Sequence, residues 1–334
     1  MREILYDARW IGNHGIGRFA RELFRLLPGL KPFQARRRPS HPLDPALLGA
    51  ALWARRPHFF FSPGYSAPLG SSCPFGFTLH DLNPLCVPEN SNSVKRAYFH
   101  YVVRPACHRA AFVLTVSEYS KQAICEWAKV RDEKVVCVGN GVGWPFGAAG
   151  GRYEPGYPYL LYVGNRKPHK NLTRLLKAFA ISGVRQNLRL VLTGARDPET
   201  ATQIESFGLD GDVQFVDPAQ DEDLANLYRG AEALLFPSTH EGFGLPPLEA
   251  MACGTPVLTS NVCSLPEVVG DAAILVNPMQ VESIAEGIQR LAEDEGLRRD
   301  LRRKGFARAG QFSWEATGRK AWDALQTAAV EGRR

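Results

Sequence analysis

The sequence predicts an α/β protein made of two doubly wound parallel-sheet domains, and three observations predict it. Short apolar runs alternate with amphipathic stretches twice along the chain, the pattern of strands crossing over through helices. A Gly/Pro-rich stretch at residues 147–158 separates the two series, as a linker does. The 334 residues, 45% hydrophobic and 22% charged, suffice for two soluble cores of ordinary size. The expected division is residues 1–150 and 151–313, with a terminal helix over 314–331 that returns to pack on the first domain.

In the first series, apolar runs at residues 4–6, 58–61, 75–79, 112–116 and 135–138 read as strands. Between them, residues 17–27, 93–110 and 118–129 carry apolar side chains at helical spacing. The second series places strands at 159–163, 189–192, 213–216, 233–236, 257–259 and 273–276, with helices of ordinary length between them. Parallel sheets of this kind bind ligands at the carboxyl ends of their strands, so the two domains are expected to face each other across a cleft.

Composition excludes several classes. No apolar run reaches the length of a membrane span, and Met1-Arg-Glu-Ile-Leu-Tyr enters a strand directly instead of a signal peptide, which predicts a cytoplasmic chain. Seven cysteines, with no C-x-x-C pair, argue against a disulfide framework and a zinc site, and most are expected to be small buried residues. The net charge of +6 is uneven: residues 1–150 hold 19 Lys/Arg against 10 Asp/Glu, a net +9, and the remainder is net −3. Arg36-Arg37-Arg38, Arg55-Arg56 and Lys95-Arg96 suit an anionic membrane surface or a phosphate-bearing acceptor, and a merely solvated basic face accounts for them equally well. Aromatics are not interleaved with these charges, so nucleic acid is not expected as a partner.

The segment Phe236-Pro-Ser-Thr-His-Glu-Gly-Phe-Gly-Leu-Pro-Pro-Leu-Glu249 is the most informative in the chain. A short buried strand leads into a loop with Glu241, Gly242, Phe243 and Gly244. Leu245, Pro246 and Pro247 then open a helix that carries Glu249 about one turn in. Backbone N–H groups and the positive end of the helix dipole favour a phosphate or a hydroxyl-rich ligand there. Carboxylates pair well with vicinal hydroxyls. Dipole compensation and a tight turn explain either half alone; the combination in a strand-loop-helix setting points to a sugar-nucleotide clamp.

Other candidates cluster at strand ends. Arg166 and Lys170, in Tyr162-Val-Gly-Asn-Arg-Lys-Pro-His-Lys-Asn-Leu172, follow the first strand of the second series and can neutralise a diphosphate. In the first series, Gly12-Asn-His-Gly15-Ile-Gly17 opens a helix after strand one. Its glycines permit close approach of a ligand, and a simple tight turn explains them as well. His80 ends the strand 75–79, and Ser117 is a good helix cap. The acidic pairs Asp210/Asp212 and Asp221/Asp223 flank a strand as turn or helix-start residues, so no metal is expected. Walker, nucleophile-elbow and H-E-x-x-H motifs are absent, which leaves ATPase, esterase and metalloprotease readings without support.

On these motifs, with Ala-Met-Ala-Cys-Gly-Thr-Pro-Val257 and Ser264-Leu-Pro-Glu-Val-Val-Gly270 following, the chain resembles family 4 of the retaining glycosyltransferases of GT-B architecture, two Rossmann-like domains. The resemblance covers nearly the whole chain. It implies a nucleoside-diphosphate sugar donor in the second domain, with Glu249 toward the ribose and Glu241 and the amides of Gly242 to Leu245 toward the sugar. It also implies Arg166 and Lys170 on the diphosphate in place of a metal, His80 near the reacting sugar, and Gly15 and Gly17 over the phosphates. The Tyr162–Leu172 wording is similar to bacterial enzymes that use GDP-mannose in surface polysaccharide synthesis. A glycan or polyprenyl-diphosphate-linked acceptor at the inner membrane face is then expected. A UDP-sugar-dependent hexosyltransferase, a sugar-nucleotide epimerase and a non-catalytic sugar-nucleotide-binding partner share these features and stay open.

Overall fold

The computed structural model describes residues 3–12, 14–35, 39 and 41–331, so the Arg36–Arg38 run lies outside the described residues. The chain forms two compact units, residues 1–141 with 313–334, and residues 142–312. The change of unit therefore comes at Gly141, before the Gly/Pro-rich stretch. That stretch clusters with the second unit because the buried Arg229 guanidinium binds the carbonyls of Pro145, Gly147 and Gly151.

In the first unit the elements are β1 (Ile4–Asp7), α1 (Gly15–Leu26), β2 (Leu30–Phe33), α2 (Asp44–Arg55), β3 (Phe59–Ser62), β4 (Phe75–Thr78), α3 (Asn83–Cys86), α4 (Ser93–Tyr98), α5 (Arg104–Arg109), β5 (Phe112–Thr115), α6 (Glu118–Ala128) and β6 (Val135–Cys137). All six strands are parallel, in the order β2-β1-β3-β4-β5-β6. The central strands are buried on both faces, which is why they read as continuous apolar runs.

Strand β2, helix α2 and the single-turn α3 were not legible from periodicity. Strand β2, Leu30-Lys-Pro-Phe, has only Phe33 buried and contains Pro32, which an edge strand tolerates because one side of its ladder is unused. Helix α2 is so rich in Ala and Leu on every side that no polar face marks its period. The single helix expected over 93–110 is interrupted by a π turn at Phe99–Val103. Pro105 has no N–H to give to the carbonyl four residues back, and the widened turn precedes it.

The second unit runs β7 (Tyr159–Tyr162), α7 (Leu172–Ile181), β8 (Arg189–Thr193), α8 (Pro198–Ser206), β9 (Val213–Val216), α9 (Asp221–Gly230), β10 (Ala233–Phe236), α10 (Leu245–Cys253), β11 (Val257–Ser260), α11 (Leu265–Val269), β12 (Ile274–Val276), α12 (Val281–Glu293) and α13 (Glu295–Ala309). Its parallel sheet has the order β12-β11-β10-β7-β8-β9. Strands β7, β10 and β11 are fully buried, and the core gathers Leu160, Tyr162, Leu175, Phe179, Leu190, Leu235, Leu258 and Ile288. Helix α14 (Trp314–Glu331) packs on α1 in the first unit, where Gly318 lies against Leu26.

The winding direction reverses once in each sheet, at β1 in the first and between β7 and β10 in the second. Loops at the carboxyl ends of the two strands flanking such a reversal diverge and leave a crevice between them. The cysteines correct one expectation. All seven are free, but only Cys107 and Cys253 are buried, Cys86 is exposed and the other four are intermediate: Cys73, Cys86, Cys137 and Cys263 sit on element ends or in loops, and Cys125 lies on a partly exposed side of α6.

Candidate functional site

In the second unit the reversal point brings two of the expected segments together. Strands β7 and β10 are neighbours in register, Leu160 beside Ala233, so the loops leaving their carboxyl ends run side by side. The β7 loop turns through a short 3-10 segment, Pro168–Lys170, and enters α7 at Asn171, which takes the left-handed conformation. The β10 loop carries Ser238 through Gly244 into α10.

Lys170 Nζ lies 2.6 Å from Glu241 Oε1, and both side chains are largely buried. The ammonium also sits 5.0 Å from the centre of the Phe236 ring. Three further residues fix the pair. Thr239 N donates to the His169 carbonyl at 2.8 Å. Asn171 Nδ2 donates to the carbonyls of Pro237 and Pro278 at 2.9 and 2.7 Å, tying the loops after β10 and β12 to the β7 turn. Ser264 Oγ, fully buried, lies 2.9 Å from the carbonyls of both Glu241 and Phe243.

The glycine loop follows from these constraints. Gly244 caps α10 at φ +113, and a Cβ there would meet Leu265 Cδ2 at 2.7 Å, so no other residue fits without strain. Pro246 and Pro247 lack N–H groups, so the amide donors of this helix start are confined to Gly242 through Leu245 while the dipole remains. The Phe243 ring is buried edge-on against Phe312, 5.9 Å between centres, and Phe243 faces the loop through its backbone. Glu249, only 3% exposed, accepts a hydrogen bond from Tyr228 Oη at 3.0 Å.

Arg166 takes a different direction. Its guanidinium donates to the carbonyls of Thr193 at 2.8 Å and Gly164 at 3.3 Å, and Nε lies 3.4 Å from Asp197 Oδ2. Tyr162 and Phe215 flank it. The structure thus brings Lys170 to Glu241 and fastens Arg166 toward the end of β8. Asp197 caps α8, and its carboxyl lies below the usual range. Partial burial opposes this shift, and hydrogen bonds from Thr200 with the charge of Arg166 overcome it.

His169, buried beside the pair, is pushed down to about 4 by desolvation, which the attraction of Glu241 only partly offsets. It is therefore a neutral ring at physiological pH. Asp221 is the first residue of α9, whose start is closed by the Gln220–Asp223 capping box. Among the described residues, no group of three His, Cys, Asp or Glu side chains could hold a metal ion.

In the first unit, His14 caps α1 by accepting from Gly17 N at 3.0 Å. Gly17 is buried, and a Cβ on it would lie 2.5 Å from the Gly12 carbonyl, so this glycine is required by the chain's own packing; Gly15 is exposed at the helix start. His80 Nε2 lies 2.9 Å from the Pro63 carbonyl. Since a carbonyl only accepts, Nε2 carries the proton. Its ring meets Phe19 edge-on at 4.9 Å, and desolvation lowers its pKa to about 4, so it too is neutral. Ser117 caps α6 by accepting from Ser120 N.

Sequence reading missed Tyr228, Asn171 and Ser264. Tyr228 and Ser264 lie 21 and 23 residues from the groups they hold, on other elements, and while Asn171 and Ser264 sat in motifs already singled out, Tyr228 did not.

Two family descriptions match the chain: "Glycosyl transferases group 1" over residues 151–308 and "Glycosyltransferase Family 4" over residues 7–143. The O-antigen chain mannosyltransferase B of Escherichia coli is 33% identical over 259 residues, covering 71% of this chain and 66% of that protein. The serotype-specific mannosyltransferase WbdA of the same species is 31% identical over 256 residues, 71% of this chain and 31% of its own length. The chain thus spans about two thirds of the first relative and under a third of the second. Among solved structures, a sucrose-phosphate synthase from Thermosynechococcus elongatus has the same fold, with a TM-score of 0.82 at 19% identity over 99% of this chain and all of that one. With one description on each sheet unit and the fold shared throughout, the chain belongs to the glycosyltransferases of the group 1 and family 4 type, with GT-B architecture.

Proposed function

We propose that the protein is a retaining, metal-independent glycosyltransferase that moves a hexose, mannose from GDP-mannose, to a glycan or lipid-linked glycan acceptor in surface polysaccharide synthesis. The observation that carries the reading is the Lys170–Glu241 pair, 2.6 Å apart at the reversal point of the second sheet and beside the Gly242–Leu245 amides. An ammonium has three donor protons. One engages Glu241 and the others serve the diphosphate, whose developing negative charge Lys170 stabilises as the bond to the sugar breaks. The loop amides and Glu241 hold sugar hydroxyls, and buried Glu249, oriented by Tyr228, takes the ribose.

In this reading Arg166 supports the diphosphate from the β8 side, Gly15 and Gly17 approach the phosphates, and neutral His80 contributes its Nδ1 lone pair near the reacting sugar. The acceptor hydroxyl attacks from the face the diphosphate leaves, so the anomeric configuration is retained. Catalysis is then positioning with charge stabilisation, and no metal is needed. The choice of mannose is supported by the mannosyltransferase names of the relatives. Peripheral contact of the basic first half with an anionic membrane, on the cytoplasmic side, belongs to the same reading.

The test is turnover in chelator with GDP-mannose and UDP-glucose, with and without a polyprenyl-diphosphate-linked glycan. Acceptor-dependent mannose transfer is expected. Donor conversion that needs no acceptor would instead favour an epimerase, and neither binding nor hydrolysis of either donor would refute the reading.

A further inference from the structure

The outward side of α2 is apolar where a solvent face should be polar. Leu43, Leu47 and Trp53 are 57%, 45% and 58% exposed, and Ala46, Ala50 and Ala54 are also exposed. Leu69, 51% exposed, extends the patch, because its N–H donates to the Pro45 carbonyl at 3.0 Å at the start of this helix. The opposite side of α2 is committed to the core through Leu48, Gly49 and Leu52, so the outward side is not needed for folding.

The charged side chains placed at the end of α2 and beside Leu69 are arginines. The only acid in α2, Asp44, is buried and paired with Arg9. Arg55 and exposed Arg56 close the helix, and the Arg109 guanidinium binds the carbonyls of Pro68 and Leu69. Between Lys31 and Ser117 the sequence holds ten Lys/Arg and three Asp/Glu. Apolar Leu and Trp side chains rimmed by arginines fit the boundary of an anionic bilayer, where the apolar face enters the acyl region and the cations meet headgroups. A protein partner would need acidic groups in a ring around an apolar centre, and a second copy of this chain would set arginine against arginine.

We propose that α2 and Leu69 form a membrane-docking face that seats the protein on an anionic lipid surface through Leu43, Leu47, Trp53 and Leu69. The proposal takes its partner from the membrane contact in the functional reading and is independent of the transfer chemistry. No helix among the described residues is long and apolar enough to cross a membrane.

Co-sedimentation of the purified full chain with vesicles tests it, without nucleotide or acceptor. The expected result is binding to phosphatidylglycerol-containing vesicles that weakens with salt, little binding to pure phosphatidylcholine, and blue-shifted tryptophan emission on binding. The Leu47→Glu/Trp53→Glu double variant should lose roughly tenfold in vesicle affinity. Its thermal midpoint and its nucleotide-sugar binding should stay at wild-type values. An Arg55→Glu/Arg56→Glu variant, which leaves the apolar side chains in place, should lose binding to anionic vesicles as well. Absence of binding by the wild type, unchanged binding by both variants, or a solution dimer dissolved by the Leu47→Glu/Trp53→Glu change would overturn the proposal. Because nucleotide-sugar binding is read separately, a failure of the transferase reading would not be mistaken for a failure of the docking face.

Discussion

Lys170 and Glu241 form a charged pair that is desolvated on one side and held by backbone contacts on the other. Replacing Lys170 with Ala should lower kcat/KM by about 10²–10³, the usual cost of removing one preorganised charge-stabilising donor. Steady-state kinetics with saturating acceptor would show it, and an effect confined to KM would argue that Lys170 only binds. Ser264→Ala releases the carbonyls of Glu241 and Phe243 and should cost about 1–2 kcal/mol in stability, with a fall in kcat at nearly unchanged folding at 25 °C. The two histidines give a pH dependence of definite sign. His80 and His169 have folded pKa values near 4, below the unfolded value of about 6.5. Between these values the unfolded chain binds protons that the folded chain refuses, so stability falls as pH drops from about 6.5 toward 4. Urea titrations of wild type and His80→Gln across that window should show a shallower slope in the variant. The places of Glu241, Lys170 and Glu249 in their loops and helix were legible because loop and helix-start patterns are local. Asn171 spans 66 residues to Pro237, and the commitment of Arg166 to Thr193 and Asp197 depends on which strand lies beside β7, which sequence spacing does not encode.

At the level of elements, strands buried on both sides were the most legible, since a parallel sheet leaves no polar alternation to confuse the pattern. Strands 213–216 and 233–236 match their expected bounds, and most others shift by a residue at an end. Strand β2 and helix α2 escaped because an edge strand with Pro32 and a helix with an apolar outer face both break the periodicity rules, the second because of what its surface is proposed to meet. Gly17 and Gly244 carry the sharpest element-scale predictions. A Cβ at position 17 collides with the Gly12 backbone, so Gly17→Ala should destabilise the first unit by about 1–3 kcal/mol. Gly244→Ala combines a left-handed φ with contact at Leu265, and should weaken donor binding along with stability. Calorimetric melts of the two variants, paired with donor titrations, separate these outcomes: Gly17→Ala should lower the melting temperature with second-unit donor affinity largely kept.

Across the whole molecule, two parallel sheets, a basic first half and an acidic remainder were present in the sequence as pattern and charge, and of the twelve strands among the described residues only β2 was not. The position at which the chain changes unit was displaced because Arg229 recruits the Gly/Pro-rich stretch into the second unit, a tertiary event with no local signature. The family assignment and the fold agree over both units, while the proposed donor site rests on a small number of polar groups at the reversal point of the second sheet. The most direct test of that site is calorimetric titration of GDP-mannose, in chelator, into wild type and Lys170→Ala. Metal-free binding by the wild type, weakened about a hundredfold or more in the variant, is the predicted result. Equal affinity in the two proteins, or wild-type binding that requires a divalent cation, would contradict the account.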